Sequence, residues 1–306
     1  MDTTLEVLFI LCVCISFYYV TQMFKEPTVE SFSQNQPFET KQNQDIYDSF
    51  YVSMYDRIHK TKPRSHYDLI KIIEITQPPD NSIFLDIGSG TGHMVHCLEM
   101  HGYRAFGIDS SKSMIEHSNK QYPTCEYKCG NAQKPMEFES NTFTYILCTH
   151  FTLYEFSDKS LFFQNCRRWL RVGGIIVVHL VDKSNFDTVV PIGKITDGIE
   201  NTQEHTSERI LTTSVTLPNA TYINKYEFSH PTISSTPEHV VKRVETFTNH
   251  KTKHTRHHEV DLYMEPIEDI IQIAKRHGFF VKGIVDYFNF NRDKHQFLYF
   301  FEKMDV

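Results

Sequence analysis

Three glycines stand close together in the stretch IFLDIGSGTGHM, which begins at Ile83. They are Gly88, Gly90 and Gly92, and a carboxylate, that of Asp86, precedes them. The apolar residues before the glycines predict a buried strand, and the pattern after them predicts a helix. Bare backbone at the carboxyl end of a strand is where open α/β sheets bind their ligands. The stretch therefore predicts a ligand-binding turn.

The pattern of this turn separates two classes of ligand. A dinucleotide-binding turn has the form G-x-G-x-x-G, with a pyrophosphate at the N-terminus of the following helix. Here the form is G-x-G-x-G, and His93 stands where the last glycine of that fingerprint would be. A side chain of this size would obstruct the close packing of the helix on the strand. A nicotinamide-dependent oxidoreductase is therefore the less favoured alternative.

The elements that would position the turn alternate along the chain. Short connections between alternating strands and helices predict a parallel sheet with helices on both faces. The predicted strands are 83–87, 103–108, 143–148 and 175–181, and the predicted helices between them are 92–100, 112–121 and 160–170. Two earlier helices are predicted, one from residue 45 to Pro63 and one over 64–76.

The alternation lapses over residues 183–264. Segments such as LTTSVTL and TYINKYEF predict short antiparallel strands there. A helix resumes at Glu265, and two last strands, 281–290 and 296–302, predict a closing antiparallel pair. We therefore predict one α/β domain over 45–306 that contains an antiparallel insertion.

The N-terminal segment differs from the rest of the chain. Residues 5–24 carry one charge, Glu6, and as a helix they would reach about 30 Å, enough to cross a bilayer core. We predict a single-pass membrane anchor, a transmembrane helix within 1–25, followed by a polar linker over 26–44. Lys25 after the apolar run favours a cytoplasmic location for the remaining chain. A buried or interfacial helix and a cleaved signal peptide are the alternatives, although a signal peptide would need a positive n-region and a small-residue cleavage site.

Composition restricts the partners. The 306 residues carry a net charge of −7, which makes nucleic acid an unlikely ligand because phosphate binding needs clustered Lys and Arg. Seven cysteines, an odd number, argue for a reducing compartment and against a disulfide framework. Cys125 and Cys129 have no second pair of ligands beside them, so we expect no metal site.

Four segments in the right order resemble the motifs of the class I S-adenosylmethionine-dependent methyltransferases. LDIGSGTGHM resembles their glycine-rich first motif, and FGIDSSKSMIEHS resembles the acidic residue that closes their second strand. GNAQKPMEFESNTFTYILCTHFTLYEF and CRRWLRVGGIIVVHLV resemble the segments around their fourth and fifth strands. The resemblance covers about 45–182 and 265–303. It implies a Rossmann-like α/β fold with a seven-stranded, mostly parallel sheet, an antiparallel last strand, and 183–264 as a lid over the acceptor.

The resemblance also implies S-adenosylmethionine as the cofactor. Bare backbone would admit its methionine part, and the charge of Asp86 would favour a cation. Asp109 would accept hydrogen bonds from both ribose hydroxyls, and Asn131 would meet the adenine amino group. Ser110 and Met114 would line the adenine ring. The implied cofactor-binding residues are Asp86, Gly88, Ser89, Gly90, Gly92, Asp109, Ser110, Met114, Asn131, Ala132 and Thr149.

Several of these residues have a structural alternative. Asp109 could cap the helix that follows it, Asn131 could be an ordinary turn residue, and Met114 could belong to the core. The same holds for a tyrosine stripe in the first predicted helix, which could be core or could close over the cofactor. Its members are Tyr47, Tyr51 and Tyr55.

Methyl transfer from a sulfonium is an in-line displacement, in which positioning and desolvation carry most of the acceleration. A base is needed only if the acceptor loses a proton, and His150 is the best-placed candidate. The segment CTHF at 148–151 lacks the Asn/Asp-Pro-Pro-Tyr motif of enzymes that methylate amino groups of DNA. We therefore predict a small-molecule or lipid-like acceptor. The alternative is an inactive cofactor-binding or scaffold protein, because relatives commonly carry Asp at the position of Asn131.

Overall fold

The computed structural model describes residues 38–188, 211–228 and 239–305, together with the backbone of 194–195. The predicted transmembrane anchor, 1–25, lies outside the described residues, as does most of the predicted linker. Within the described ranges, no helix combines the length and the apolar character needed to span a bilayer.

The described chain contains two sheets and a set of helices. The strands are β1 (Phe38–Gln42), β2 (Ile83–Ile87), β3 (Arg104–Asp109), β4 (Glu126–Cys129), β5 (Phe143–Cys148), β6 (Leu170–Val181), β7 (Lys194–Ile195), β8 (Thr212–Thr216), β9 (Ala220–Phe228), β10 (Val240–Asn249), β11 (Thr255–Tyr263), β12 (Phe279–Asp286) and β13 (Gln296–Lys303). The α-helices are α1 (Ser49–His59), α2 (Thr61–Thr76), α3 (His93–Met100), α4 (Lys112–Gln121), α5 (Lys159–Trp169), α6 (Ile267–Arg276) and α7 (Phe288–Asn291). Two 3₁₀ turns, Asn43–Ile46 and Thr152–Glu155, complete them.

The first sheet has seven strands in the order β12-β13-β6-β5-β2-β3-β4. The strands from β2 to β6 pair in parallel, whereas β13 runs antiparallel to both of its neighbours. This arrangement confirms the predicted mostly parallel sheet with a reversed last strand. The apolar end of β6, from Ile175 to Val181, is buried throughout, which requires cover on both faces of the sheet.

A hydrophobic core holds the strand that carries the glycine turn. The rings of Phe84 on β2 and Tyr145 on β5 stack with their centroids 4.7 Å apart. Helices α2 and α3 add apolar side chains at helical spacing to the same cluster. Its members include Leu69, Ile72, Phe84, Val95, Leu98, Leu147, Val177 and Phe300. The turn therefore extends from a rigid support.

The second sheet has the strand order β1-β11-β10-β9-β8-β7. Its strands β8 to β11 pair antiparallel, as the insertion pattern predicts. Burial alternates along β10, and the inward residues include Glu245 and Phe247. They pack against α1, where the ring centroids of Tyr51 and Phe247 lie 6.1 Å apart.

Strand β1, Phe38–Gln42, lies inside the predicted polar linker, where the sequence pattern predicts no strand. Its sequence FETKQ offers no run of apolar residues. The strand forms because the open edge of β11 presents unpaired backbone groups, with which it pairs in parallel from Phe38 opposite Thr255 onwards. Tertiary pairing thus replaces the missing local signal.

Two predicted boundaries are also corrected. Helix α1 begins at Ser49 rather than at residue 45, because the carboxylate of Asp48 accepts the N–H of Tyr51 at 3.2 Å and caps it. Pro63 does not end this helix but lies in the first turn of α2, where its missing N–H costs no intrahelical bond.

Candidate active site

A cleft opens at the carboxyl ends of β2, β3 and β5, with α1 and β10 on its other side. Its empty space, which includes open solvent at the mouth, amounts to about 940 Å³. Eight of the twelve predicted site residues line it. They are Gly88, Gly90, Asp109, Ser110, Met114, Asn131, Ala132 and His150.

The first two glycines of the turn need the absence of a side chain for different reasons. Both have positive φ, 69° at Gly88 and 52° at Gly90. A Cβ at Gly88 would lie 2.4 Å from the Thr152 methyl carbon, so the strand must pass close to that residue. A Cβ at Gly90 would have no neighbour nearer than Tyr55, at 3.9 Å. Space for a ligand therefore lies over Gly90.

Gly92 serves helix packing and does not line the cleft. A Cβ there would lie 2.6 Å from the hydroxyl of Tyr127 and 2.7 Å from the Cβ of Ser118. Tyr127 donates to the carbonyl of Gly92 at 2.8 Å. Ser89 is buried beside Gly107 and likewise stays outside the cleft. Both residues lie outside the cleft lining, and their implied contact with the cofactor stays a prediction.

Asp109 is held rigidly at the edge of the cleft. Its Oδ2 accepts the N–H of Gly90 at 2.9 Å and its Oδ1 accepts the N–H of Ser111 at 2.8 Å. Burial raises the pKa of this carboxyl, and the two N–H donors oppose the rise. Each oxygen keeps a second lone pair for a ligand hydroxyl. The helix cap is Ser111, whose hydroxyl accepts the N–H of Met114, so Asp109 is not needed for that purpose.

Asp86 lies beneath the turn and not in the cleft wall. The residue is 3% exposed, and burial, with a smaller contribution from the charge of Asp109, raises the pKa of its carboxyl to about 8. Near pH 7 the folded protein therefore keeps this carboxyl mostly protonated, so that it adds little charge near the cleft. A contact of Asp86 with the cofactor, direct or through water, stays a prediction.

The loop after β4 presents Asn131 to the cleft in a turn. The side-chain oxygen of Asn131 accepts the N–H of Gln133 at 2.9 Å, which leaves one lone pair. Ala132 is fixed from behind, since its carbonyl accepts the side-chain amide of Asn165 at 2.9 Å. Thr149, on the opposite strand end, does not line the cleft, and its carbonyl accepts the N–H of Thr152.

His150 faces the cleft from a strained backbone. Its φ is 56°, in a backbone region that residues other than glycine rarely adopt. Residues with this conformation occur more often at functional sites. Its Nδ1 lies 3.4 Å from the hydroxyl of Tyr55, and its carbonyl is bonded to Nδ1 of His179. Burial first, and then the positive charge of Arg64, lowers the pKa of His150 well below its usual value. The imidazole is therefore neutral near pH 7.

The wall opposite the glycine turn is built from residues distant in sequence. Tyr47 donates to Glu155, and Gln44 bonds both Glu155, at 3.2 Å, and Ser110, at 2.6 Å. Arg243 of β10 enters the same wall. The wall therefore joins the N-terminal elements, the first sheet and the second sheet at one cleft.

Residues 85–178, which include the glycine turn and His150, match a family model described as a methyltransferase domain. The matched segment supports the class I S-adenosylmethionine-dependent methyltransferase family that the sequence motifs resemble. The cofactor of this family is S-adenosylmethionine, and the chain carries the fold that binds it. None of the curated proteins compared matches the sequence.

Solved methyltransferase structures share the fold over most of the chain. An S-adenosylmethionine-dependent methyltransferase from Clostridium acetobutylicum ATCC 824 superposes with a TM-score of 0.60 at 14% identity, over 83% of this chain and 98% of that one. CcbJ from Streptomyces caelestis gives 0.62 at 12% identity, over 84% and 98%. CalS10, a SAM-bound amino pentose methyltransferase from Micromonospora echinaspora, gives 0.58 at 12% identity, over 83% and 96%.

The cleft of this methyltransferase suits the cofactor. The open space over Gly90 would admit the methionine part without any phosphate cradle, and the free lone pairs of Asp109 would take ribose hydroxyls. Met114, 2% exposed, supplies an apolar wall where a purine ring would lie. Met114 therefore belongs to the core and also lines the cleft.

Sequence reasoning missed Gln44, Glu155 and Arg243. For Arg243 a signal exists, because Val241, Arg243 and Phe247 share the inward phase of an alternating strand. A charged residue at an inward position of such a strand is buried, which costs free energy and therefore indicates a functional role. Of the tyrosine stripe, Tyr47 and Tyr55 line the cleft, whereas Tyr51 points into the second sheet.

Proposed function

We propose that the protein transfers the methyl group of S-adenosylmethionine to a small-molecule or lipid-like acceptor. The observation that carries this proposal is that the cofactor-side residues Gly90 and Asp109 share one cleft with the neutral imidazole of His150. The likeness to CalS10, an amino pentose methyltransferase, supports a small acceptor.

When bound, the cofactor supplies a methyl group on a cationic sulfur that leaves as a neutral thioether. The chain orients and desolvates the reactants. The rigid carboxylate of Asp109 fixes the ribose, and the aromatic ring of Phe151 excludes water on the acceptor side. His150 accepts a proton from the acceptor, or a hydrogen bond if no proton leaves. Because its pKa is lowered, this base is fully available but weak, which suits an acceptor with an acidic proton.

We further propose that residues 5–24 anchor the enzyme in a membrane, with the catalytic domain in the cytoplasm. The apolar run and Lys25 after it support this orientation. An anchored enzyme would meet acceptors that partition into the bilayer. Fractionation of cells that express the full chain, with carbonate extraction, tests the anchor. Release into the soluble fraction would contradict it.

Activity is tested by incubating the full-length chain with S-adenosylmethionine labelled in the methyl group and with fractionated metabolite and lipid extracts. We expect label transfer into one fraction. His150→Gln should lower the turnover of a proton-losing acceptor at least tenfold without changing cofactor affinity, and the exposed His66→Gln serves as the control. Cofactor binding without transfer into any fraction would favour the alternative, an inactive cofactor-binding protein.

A further inference from the structure

Two buried arginines on neighbouring strands of the second sheet are held in different ways. Arg256 on β11 and Arg243 on β10 are each 4% exposed. Arg256 is satisfied by its neighbours, with Nε 2.7 Å from Nε2 of His258 and a terminal nitrogen 2.5 Å from the carboxylate of Asp48. Its guanidinium also lies 4.6 Å from the ring centroid of Phe50. This arginine is a structural group.

Arg243 has few hydrogen-bond acceptors. A terminal nitrogen lies 3.5 Å from the hydroxyl of Tyr47, and the hydroxyl of Tyr226 is a second neutral partner. Its Nε has no hydrogen-bond partner among the residues that the structure describes. Since a guanidinium carries five N–H donors, most of its capacity is not used by these contacts.

The nearby carboxylate of Glu245 does not accept a hydrogen bond from the guanidinium of Arg243. Glu245 Oε2 is 3.9 Å from Nε of Arg243, beyond hydrogen-bond reach. The other oxygen, Oε1, is drawn away by two tyrosine hydroxyls, Tyr51 at 2.7 Å and Tyr222 at 2.6 Å. Glu245 therefore offsets the charge of Arg243 without occupying its donors.

Arg243 is one of the residues that line the cleft, although its Nε is itself buried. It is the only lining residue, among those described, that carries a positive charge near neutral pH, because His150 is neutral. The remaining acidic group on this side, Glu155, already accepts hydrogen bonds from Tyr47 and Gln44. Phe151 also lines the cleft and offers an apolar surface.

We propose that Arg243 binds an oxyanion of the methyl acceptor, a carboxylate or a phosphate, so that the acceptor is an anionic molecule with an apolar body. This rests on the proposed methyltransferase function and specifies its substrate class. A planar guanidinium suits either oxyanion, since it can present two parallel N–H groups. Phe151 would contact the apolar body.

The test uses the full-length chain saturated with S-adenosylhomocysteine and three probes: benzoate, phenyl phosphate and neutral benzamide. Isothermal titration should show at least one anion binding ten or more times tighter than benzamide. A preference for benzoate assigns a carboxylate acceptor, and a preference for phenyl phosphate assigns a phosphate ester. Arg243→Gln should lose at least tenfold in anion affinity, whereas Arg243→Lys should keep part of it.

Controls separate the possible failures. Arg256→Gln removes an equally buried arginine outside the cleft and should leave anion affinity within threefold. If the wild type binds S-adenosylhomocysteine but no anion better than benzamide, or if Arg243→Gln binds anions unchanged, Arg243 is only a structural partner of Glu245 and the inference is wrong. Absence of S-adenosylhomocysteine binding would instead overturn the proposed function. Should Arg243→Gln not fold, the wild-type preference and Arg243→Lys still decide.

Discussion

Both sheets contribute residues to one cleft, but the sequence signals that mark these residues differ. In the first sheet, the turn at Gly88 and Gly90 and the carboxylate of Asp109 lie at the ends of neighbouring strands, and Asp109 accepts the N–H of Gly90. In the second sheet, Arg243 and Glu245 are inward residues of an otherwise ordinary alternating strand. The first sheet contributes residues of local motifs to the cleft, and the second contributes a residue that reaches it only through tertiary position.

The comparison implies that the two regions should respond separately to substitution. Changes at Gly90 or Asp109 should alter cofactor affinity, and changes at Arg243 or Glu245 should alter stability or acceptor binding while cofactor affinity stays the same. A variant of the second sheet that abolished cofactor binding in a folded protein would contradict this division.

The largest effect is expected from Asp109→Ala. It removes the acceptor for ribose hydroxyls and frees the N–H groups of Gly90 and Ser111, so we expect S-adenosylhomocysteine affinity to fall at least 100-fold, about 3 kcal/mol. Isothermal titration measures it, with the exposed Asp80→Ala as the control. Affinity equal to that of the wild type would remove Asp109 from the site.

Two buried groups, His59 and Asp86, should contribute to the pH dependence of stability with opposite signs. Burial lowers the pKa of His59 on α1 to about 3. The positive charges of Arg243 and Arg64 lower it further, whereas the negative charge of Glu245 opposes the shift. The unfolded chain binds this proton below about pH 6.5 and the folded chain does not, so stability falls with acidification by about 1.4 kcal/mol per pH unit. His59→Gln should remove this slope between pH 4.5 and 6.5 in urea titrations.

Asp86 in the first sheet should show the reverse. Its pKa of about 8, raised by burial and by the charges of Asp109 and Asp68, keeps the proton in the folded protein while the unfolded chain releases it above about pH 4. Stability therefore falls as pH rises, by about 1.4 kcal/mol per unit up to about pH 8. Asp86→Asn should remove this slope over the same pH range. If His59→Gln and Asp86→Asn changed the slope of the unfolding free energy against pH in the same direction, the assigned protonation states would be wrong.

A smaller effect is expected from Tyr222→Phe in the second sheet. It deletes a 2.6 Å hydrogen bond to the buried Glu245, which should cost about 2 kcal/mol of unfolding free energy. Cofactor affinity should stay within twofold. Tyr299→Phe, which removes a hydroxyl without a partner among the described residues of the first sheet, is the matched control and should cost less than about 0.5 kcal/mol.

The smallest effect is expected from Asn131→Asp. Its oxygen already accepts the N–H of Gln133, and a carboxylate would keep that bond while strengthening any contact with the adenine amino group. Cofactor affinity should rise by about threefold or less, under about 0.7 kcal/mol. Asn141→Asp, in an exposed loop, controls for added charge. A tenfold loss would show that the turn, not the adenine, governs this residue.

The first sheet could be predicted from the sequence because its signals are local. Buried strands read as apolar runs, and the order of alternating strands and helices leaves few topologies. Strand β1 could not be predicted, since FETKQ becomes a strand only where β11 offers an open edge. The role of Gly92 was likewise hidden, because its neighbours Tyr127 and Ser118 meet it only in the folded chain.

The sequence by itself determined the class of fold, the glycine turn and the carboxylate at Asp109, because these depend on backbone conformation and on strand order along a continuous stretch. Only the tertiary structure decided which further residues line the cleft. Arg243, Tyr47 and His150 come from separate elements, and their meeting depends on how the second sheet and α1 pack against the strand ends. Burial leaves His150 neutral, whereas at Arg243 the effect of burial is outweighed by the charge of Glu245 together with the neighbouring tyrosines, which keeps the pKa of Arg243 well above its usual value and makes Arg243 the cation of the described cleft wall.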